Sequence, residues 1–261
     1  MKADEIRGHW EAQASTYGEA PDASWSDIRV MELEVDEIAR RLPEPGRVLD
    51  VGCANGWSTI QFAVRREIDV RGLDYVSQMV ESARGQLEHV REGLRGTVEF
   101  DLGDMLNLRE ADASYDAVVS IRVVINLGDW EEQARGLSEC VRVLKPGGVF
   151  LLSEATLQGW RRLNALRREW GLADIAMPEF NNYLDEEKVV AELREDCVLE
   201  ELVNFASTYF VGTRVLKPLL AQATGAPLDA ADPRSELNRW FASLPAWGDY
   251  GTQKLFAFRK R

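Results

Sequence analysis

From about residue 46 to residue 154, short apolar segments alternate with stretches in which apolar residues recur every three or four positions. The short segments predict β-strands and the periodic stretches predict amphipathic helices. Several short segments are apolar at neighbouring positions, as at Val48 and Leu49, which is typical of parallel strands covered on both faces. The predicted strands are 47–51, 68–74, 97–104, 115–120 and 147–154, and the predicted helices between them are 58–67, 77–92 and 130–144. This alternation predicts an α/β fold with a doubly wound sheet.

The flanks of this core have a different pattern. Polar sequence with scattered aromatic residues precedes an amphipathic helix, and two more helical patterns follow the core. The last two apolar segments predict an antiparallel strand pair, and the long stretch between them predicts further helices. These flanking elements are helices 28–42, 157–172 and 185–196 and strands 197–207 and 253–261. We therefore expect a single domain, 1–261, with a seven-stranded sheet and a mainly helical cap.

The segment VLDVGCANGWST joins the first predicted strand to a helix through a tight turn that contains Gly52 and Gly56. Glycine lets a backbone approach a ligand closely, and ligands of doubly wound sheets bind at the carboxyl ends of the strands. The nicotinamide fingerprint GxGxxG would need glycine where Ala54 and Trp57 stand. Asp50, two residues before the first glycine, would repel a pyrophosphate but attract an ammonium or a sulfonium. The turn therefore favours S-adenosylmethionine over NAD.

VLDVGCANG resembles the first motif of the class I S-adenosylmethionine-dependent methyltransferases, and the rest of 46–154 follows that family in order. GLDYVSQMVESAR resembles its second-strand motif, in which the acid, here Asp74, holds the ribose hydroxyls. GDML resembles the segment whose aspartate, here Asp104, accepts a hydrogen bond from the adenine amino group. YDAVVSIRVVINL resembles the fourth strand and its exit, and RVLKPGGVFLLSE resembles the helix, turn and fifth strand that follow. The resemblance implies a Rossmann-like fold and methyl transfer.

The resemblance also implies which residues hold S-adenosylmethionine, with S-adenosylhomocysteine as the product. One departure is Ala54, which replaces the middle glycine of the usual motif and is small enough to allow a close approach. WEAQASTYG resembles the N-terminal segment of many small-molecule methyltransferases, whose tyrosine closes over the cofactor. The expected cofactor-binding residues are Tyr17, Asp50, Gly52, Cys53, Ala54, Gly56, Asp74, Tyr75, Met79, Asp104, Met105 and Ser120. The expected cofactor-binding core is about 46–154.

Methyl transfer is an in-line displacement that an enzyme can accelerate largely by alignment and exclusion of water. A general base is needed mainly when the nucleophile is a hydroxyl. The chain has only two histidines, and the candidate bases, in order, are His9, Glu154 and Tyr183. We expect the acceptor to bind between cap segments at about 1–30, 155–184 and 209–250. The candidate substrate-binding residues are Arg122, Trp160, Asn181, Tyr209 and Arg214.

Arginines carry the only hint about the charge of the acceptor. Arg122 follows the fourth strand, and four more arginines lie on the predicted helix 157–172. An exposed, ion-paired helix face explains these four at least as well as substrate binding does. If they bind substrate, they would favour a carboxylate or a phosphate.

The composition of the chain argues against several classes of binding partner. Lys and Arg total 31 against 44 Asp and Glu, a net charge of −13, which argues against broad nucleic-acid binding. No apolar run reaches the roughly 18–20 residues of a membrane helix, and the N-terminus has no apolar signal region. The three cysteines are widely spaced, and no acidic magnesium cluster is recognisable, so no metal is expected. We expect a cytoplasmic protein with a small-molecule substrate, no nucleic-acid or membrane partner, and a homodimer as one open possibility.

The expected function is methyl transfer to an oxygen or nitrogen of a small metabolite. RVVINLGDWEEQ, the LN..R helix and the NNYLDEE loop resemble methyltransferases of bacterial secondary-metabolite or saccharide biosynthesis. One alternative is a C-methyltransferase. Another is a non-catalytic S-adenosylmethionine-binding regulatory module, which would have an open, flat surface above the strand ends instead of an enclosed pocket.

Overall fold

The computed structural model describes residues 3–225 and 232–261, and within these ranges seven strands form one sheet. The strands are β1 (Arg47–Val51), β2 (Asp69–Asp74), β3 (Thr97–Leu102), β4 (Tyr115–Ile121), β5 (Leu144–Ala155), β6 (Cys197–Val203) and β7 (Gln253–Lys260). Their order is β3-β2-β1-β4-β5-β7-β6. The first five strands are parallel, and β7 is antiparallel to both β5 and β6. The predicted Rossmann-like sheet with a final antiparallel pair is confirmed.

Helices cover both faces of the sheet. They are α1 (Ala3–Tyr17), α2 (Ile28–Ala39), α3 (Trp57–Arg65), α4 (Ser77–Val90), α5 (Trp130–Val143), α6 (Leu157–Glu169), α7 (Glu186–Leu193), α8 (Ser207–Val211), α9 (Lys217–Thr224) and α10 (Glu236–Ala242). Alternate side chains of the central strands point to opposite faces. Val48 therefore joins one apolar core with Phe62 of α3, while Leu49 joins the other with Leu137 of α5. Across the described ranges, no helix combines the length and the apolar character that a bilayer crossing requires.

The order of strands reverses beside β1. The chain moves from β1 outward through β2 to β3 and then returns to place β4 on the other side of β1. The loops that leave β1 and β4 consequently diverge to opposite faces and open a crevice at their carboxyl ends. This crevice is where the fold positions a ligand.

The predicted strand 197–207 is wrong beyond Val203. There the chain leaves the sheet, because the Asn204 side-chain amide donates to the Gly251 carbonyl (3.0 Å) and to Asp249 Oδ1 (2.9 Å). A helical segment follows at once and runs through α8, a π-helical turn at Gly212–Leu216, and α9. The helices expected between the last two strands are present. Residues 226–231 of the predicted cap segment 209–250, and residues 1–2, lie outside the described residues.

Candidate functional site

A cavity of about 450 Å³ lies at the carboxyl ends of β1, β2 and β4. Its walls come from the turns after β1 and β2, the segment after β3, the loop after β4, and α1. The predicted site residues that line it are Asp50, Gly52, Cys53, Ala54, Asp74, Tyr75, Met79, Asp104, Met105 and Arg122. Motifs that are far apart in the sequence thus converge on one cavity.

The turn after β1 is fixed by backbone geometry. Gly52 has a φ of 80°, and its amide donates to the Leu73 carbonyl of β2 at 2.7 Å. A Cβ at Gly52 would lie 2.2 Å from Cγ2 of Val123, so only glycine fits there. Ala54 is also left-handed, with a φ of 48°, which is uncommon for a residue that has a side chain. Gly56 does not line the cavity but begins α3 with a φ of 79°.

Asp74 ties the turn after β1 to the end of β2. Its carboxylate accepts hydrogen bonds from the amides of Ala54 and Val76, each at 2.9 Å. Burial raises the pKa of Asp74 to about 6, although these two amides oppose the shift. Each carboxylate oxygen has lone-pair capacity beyond one bond, so Asp74 can also accept from ligand hydroxyls.

Asp50 is the most deeply placed acid of the cavity, with 1% of its surface exposed. Its Oδ2 accepts a hydrogen bond from Thr59 Oγ1 at 2.5 Å. Burial raises its pKa to about 7, and the nearby Asp74 carboxylate adds to the shift, so a cationic ligand would favour the ionised form. Asp104 stands at the exposed rim and accepts from the Leu106 amide at 2.9 Å.

Arg122 lies on the opposite wall, at the exit of β4, with a left-handed φ of 56°. Its guanidinium forms an ion pair with the fully buried Glu34 of α2 and stacks on Trp25, 4.9 Å from the ring centroid. Glu34 also accepts hydrogen bonds from Ser153 Oγ at 2.5 Å and from Gln253 Nε2 at 3.0 Å. The positive charge of Arg122 is therefore already compensated within the protein.

Glu154, a candidate base, holds the loop after β4 instead of facing the cavity. Its Oε1 accepts from the amides of Val123 (2.8 Å) and Val124 (2.7 Å), and the side chain is fully buried. Burial raises the pKa of Glu154 to about 8, and these two amides and the Arg122 charge oppose the shift. Its Oε2 has no hydrogen-bond partner among the described residues. This geometry fits a positioning role better than proton transfer.

The other two candidate bases are also absent from the cavity wall. His9 packs against Phe180, 4.8 Å between ring centroids, and against Trp10 at 5.1 Å. Tyr183 packs on the core that contains Leu137, where burial raises the pKa of its hydroxyl. The cavity lining thus includes none of the three predicted bases.

The remaining predicted residues divide into near and distant ones. Asn181 Nδ2 donates to Oδ1 of Asn126 at 2.9 Å, and Asn126 lines the cavity. Trp160 donates to the Ile175 carbonyl at 2.8 Å and supports the segment after α6. Ser120 is buried within β4, and Tyr17, 44% exposed, ends α1 outside the lining.

Tyr209 and Arg214, which the sequence predicts to bind substrate, do not line the cavity. The Tyr209 hydroxyl donates to Oδ1 of Asp27 at 2.7 Å, and Arg214 donates to Oδ2 of the same residue at 2.6 Å. Asp27 is the N-cap of α2 and is buried, so its charge needs compensation by partners. The two side chains meet this need in the core instead of entering the cavity.

Sequence reasoning missed cavity residues on α1 and in the loop after β4. Ile6 and Trp10 lie four positions apart on α1, a spacing that places them on one helix face, and both line the cavity. That apolar spacing was the available signal. Asn55 ties α1 to the turn after β1 by donating to the carbonyls of Gly18 (3.0 Å) and Ala20 (2.8 Å). The loop after β4 adds Asn126, Leu127, Gly128 and Asp129, and the first turn of α5 adds Glu132.

Within the ranges 3–225 and 232–261, no group of three or more His, Cys, Asp or Glu side chains is arranged to hold a metal ion. The three cysteines are buried and form no disulfide with one another.

Residues 48–148 match the family model described as a methyltransferase domain. The matched segment runs from β1 into β5 and contains all five acids that line the cavity, among them Asp50, Asp74 and Asp104.

Two curated methyltransferases are similar to about half of this chain. The methyltransferase GfsG of Streptomyces halstedii is 32% identical over 147 residues, 55% of this chain and 51% of that protein. An O-methyltransferase of Pyrenophora dematioidea is 30% identical over 146 residues, 54% of this chain and 52% of that protein. The chain thus spans about half the length of the curated relatives it matches.

The similarity to solved structures extends beyond residues 48–148. The PH0226 protein of Pyrococcus horikoshii superimposes with a TM-score of 0.60, covering 91% of this chain and 92% of its own. Only 18% of the aligned residues are identical, so this similarity concerns the fold. The flanking helices and the last two strands therefore belong to an architecture that other proteins share.

Proposed function

We propose that this protein is an S-adenosylmethionine-dependent methyltransferase that acts on an oxygen or nitrogen of a small metabolite in bacterial secondary-metabolite or saccharide biosynthesis. One observation carries the proposal: three acids of the segment that matches the methyltransferase model, Asp50, Asp74 and Asp104, line one cavity beside a glycine turn. The resemblance to methyltransferases assigns the ribose to Asp74 and the adenine to Asp104, and the charge of Asp50 suits the cationic part of the cofactor.

The cavity fits this cofactor in size and in chemistry. Its volume of about 450 Å³ lies within the range of small-molecule sites. Asp74 would accept from the ribose hydroxyls, and Asp104 would accept from the adenine amino group. Asp50 would face the cationic part of the cofactor, where burial makes the interaction between charges stronger. The turn at Gly52 brings the backbone close enough to pack against it.

When bound, S-adenosylmethionine supplies a sulfonium methyl group, whose C–S bond breaks as the acceptor atom bonds to carbon and sulfur keeps the electron pair. Residues of the chain would act by holding the two reactants in line and excluding water. Trp10 and Ile6 of α1 cover the cavity on one side, and the loop held by Glu154 limits it on another. None of the three predicted bases lines the cavity.

The shape of the site supports an enzyme over a non-catalytic binding module. A module would have an open, flat surface above the strand ends, whereas here α1 and the loop after β4 form walls around a cavity. We further propose that the core, about 46–154, holds the cofactor, and that cap segments 1–30 and 155–184 contact the acceptor.

Isothermal titration calorimetry with S-adenosylmethionine and S-adenosylhomocysteine tests the proposal. We expect binding by the wild-type protein, and an affinity at least about tenfold lower in Asp74→Asn, because charge-assisted hydrogen bonds to the ribose are worth about 1.5–3 kcal/mol. Asp69→Asn is the matched control, since Asp69 begins the same strand and Asp74 ends it. Absence of binding at millimolar ligand would refute the proposed function.

A further inference from the structure

We propose that the acceptor is an uncharged, ring-bearing molecule without a carboxylate or phosphate, and that Glu34 is the residue that excludes anions. The inference rests on the proposed function and concerns the acceptor side of the same cavity. It is the opposite of the interpretation in which arginines of the sequence bind a carboxylate or a phosphate of the acceptor.

Arg122 lies on the acceptor side of the cavity wall. Its guanidinium is paired with Glu34, which is fully buried and cannot turn to solvent. Ser153 and Gln253 hold the other carboxylate oxygen of Glu34, so the carboxylate is fixed in place. An anionic acceptor that drew Arg122 away from this pair would leave Glu34 as an uncompensated buried charge, which is strongly unfavourable.

Most of the other arginines on α6, and Arg214, have partners elsewhere in the protein. The exception is Arg161, which is exposed and does not line the cavity. Arg162 pairs with Asp249, Arg168 with Asp174 and Arg214 with Asp27, and Arg167 donates to the carbonyls of Ala173 and Arg214. These cations therefore stabilise the cap and do not point to a substrate.

Acidic side chains outnumber basic ones around the cavity. Its lining contains two arginines, Arg7 and Arg122, against five acids: Asp50, Asp74, Asp104, Asp129 and Glu132. Arg7 lies over the ring of Tyr75, 5.0 Å from the centroid, on the side proposed for the adenosine. The negative lining suits a cationic donor and repels an anionic acceptor.

A cluster of aromatic residues lies beside the cavity. His9, Trp10 and Phe180 form a cluster, which we call the aromatic rim, with ring centroids between 4.8 and 6.5 Å apart. Trp10 also lines the cavity, and Trp57 stands on another part of its wall. Aromatic faces offer contact area to another ring and ask for no charge from it. An uncharged ring therefore fits the rim better than an anion does.

Binding of inorganic phosphate to the protein loaded with S-adenosylhomocysteine tests the exclusion of anions. We expect no binding by wild type up to 10 mM phosphate, roughly the top of the range for weak sites. Glu34→Gln keeps the size of the side chain but frees the Arg122 charge, so we expect at least about tenfold stronger phosphate binding, equivalent to about 1.4 kcal/mol. Glu37→Gln, on the same helix and paired with Arg41, is the matched control and should bind no phosphate.

A matched pair of acceptors gives a second measurement that needs no variant. Transfer of a tritiated methyl group to 4-hydroxybenzamide and to 4-hydroxybenzoate compares two ring compounds that differ in charge. We expect the uncharged amide to be methylated at least about tenfold faster, a difference of about 1.4 kcal/mol in the barrier. If neither compound is methylated, the phosphate measurement decides alone.

The outcomes separate the two proposals. A protein that binds no S-adenosylhomocysteine overturns the proposed function and this inference with it. A protein that binds S-adenosylhomocysteine but also binds phosphate, or methylates the benzoate as fast as the amide, overturns only the inference. A folded Glu34→Gln variant without any gain in phosphate binding also overturns it. If Glu34→Gln does not fold, the wild-type measurements decide.

Discussion

The two sides of the cavity are built in different ways. On the donor side, Asp50 and Asp74 lie at the ends of neighbouring strands, and backbone amides fix the carboxylate of Asp74. On the acceptor side, the walls come from α1 and the exit of β4, and side chains from distant parts of the sequence hold them in place. The donor side is thus preorganised by the sheet, whereas the acceptor side depends on contacts between separate segments.

This difference predicts how substitutions on each side of the cavity affect the protein. A site on strand ends keeps its geometry when a surface contact is lost, because the sheet holds it. A site assembled from loops and a terminal helix shifts when one contact is lost. Substitutions on the donor side should therefore affect folding or cofactor affinity, and those on the acceptor side should affect mainly the acceptor.

The largest expected effect is at Gly52, where the donor-side turn meets the loop after β4. In Gly52→Ala, the new Cβ would lie 2.2 Å from Val123 in a backbone with a φ of 80°. We expect a loss of about 3 kcal/mol in the free energy of unfolding, from the clash together with left-handed strain. Urea unfolding measures it. Gly147→Ala is the control, since Gly147 has a φ of 76° and nothing within 4 Å, and it should cost only about 1 kcal/mol. Equal losses would refute the role of the clash.

The next effect concerns Glu154, which joins the two sides. Glu154→Leu leaves the amides of Val123 and Val124 buried without their acceptor, so we expect a loss of about 2 kcal/mol in stability. Glu154→Gln keeps an accepting oxygen and should retain most of the stability and of the methyl transfer. Urea unfolding and the tritiated-methyl assay measure both variants. A general base would behave differently: Glu154→Gln would then abolish transfer while the fold stayed intact.

A smaller effect follows from the charge of the donor side. Because burial raises the pKa of Asp50 to about 7, this carboxyl is mostly protonated at pH 6 and mostly ionised at pH 8. The ionised form attracts the sulfonium, so the affinity for S-adenosylmethionine should rise by about tenfold, or 1.4 kcal/mol, from pH 6 to pH 8. Calorimetry at both pH values measures this. S-adenosylhomocysteine lacks the sulfonium charge and should show a weaker dependence, as should Asp50→Asn with either ligand. A rise of the same size in Asp50→Asn would assign it to another group.

The smallest expected effect is on the acceptor side. Asn181→Ala removes one hydrogen bond to Asn126, a contact worth about 0.5–1.5 kcal/mol. The KM for the acceptor should rise by a few fold, whereas the affinity for S-adenosylhomocysteine should not change. Steady-state kinetics and calorimetry give the two values. An equal loss of cofactor affinity would show that the two sides are not separable.

The same contrast explains what the sequence could predict. The strands of the core and the acids at their ends follow from local pattern and from short motifs, since Asp50, Gly52 and Asp74 are needed wherever this turn and strand end occur. Arg122, a predicted substrate-binding residue, lines the cavity. Its partner Glu34 lies 88 positions away, and no local pattern connects the two. Similarly, Asp27 draws Tyr209 and Arg214 into the core from more than 180 positions away. Such side-chain pairings depend on how the cap packs, which one sequence does not encode locally.

The position of β7 has a consequence for how the protein is made. β6 ends at Val203 and β7 begins only at Gln253, yet β6 reaches the sheet solely through β7. During synthesis from the N-terminus, the five parallel strands can assemble while β6 still lacks its neighbour. Buried residues of β6, such as Cys197, must therefore stay exposed in the nascent chain until β7 emerges. We expect chaperones to bind the nascent protein at this stage, at the edge of β5 that is unpaired until β7 is in place.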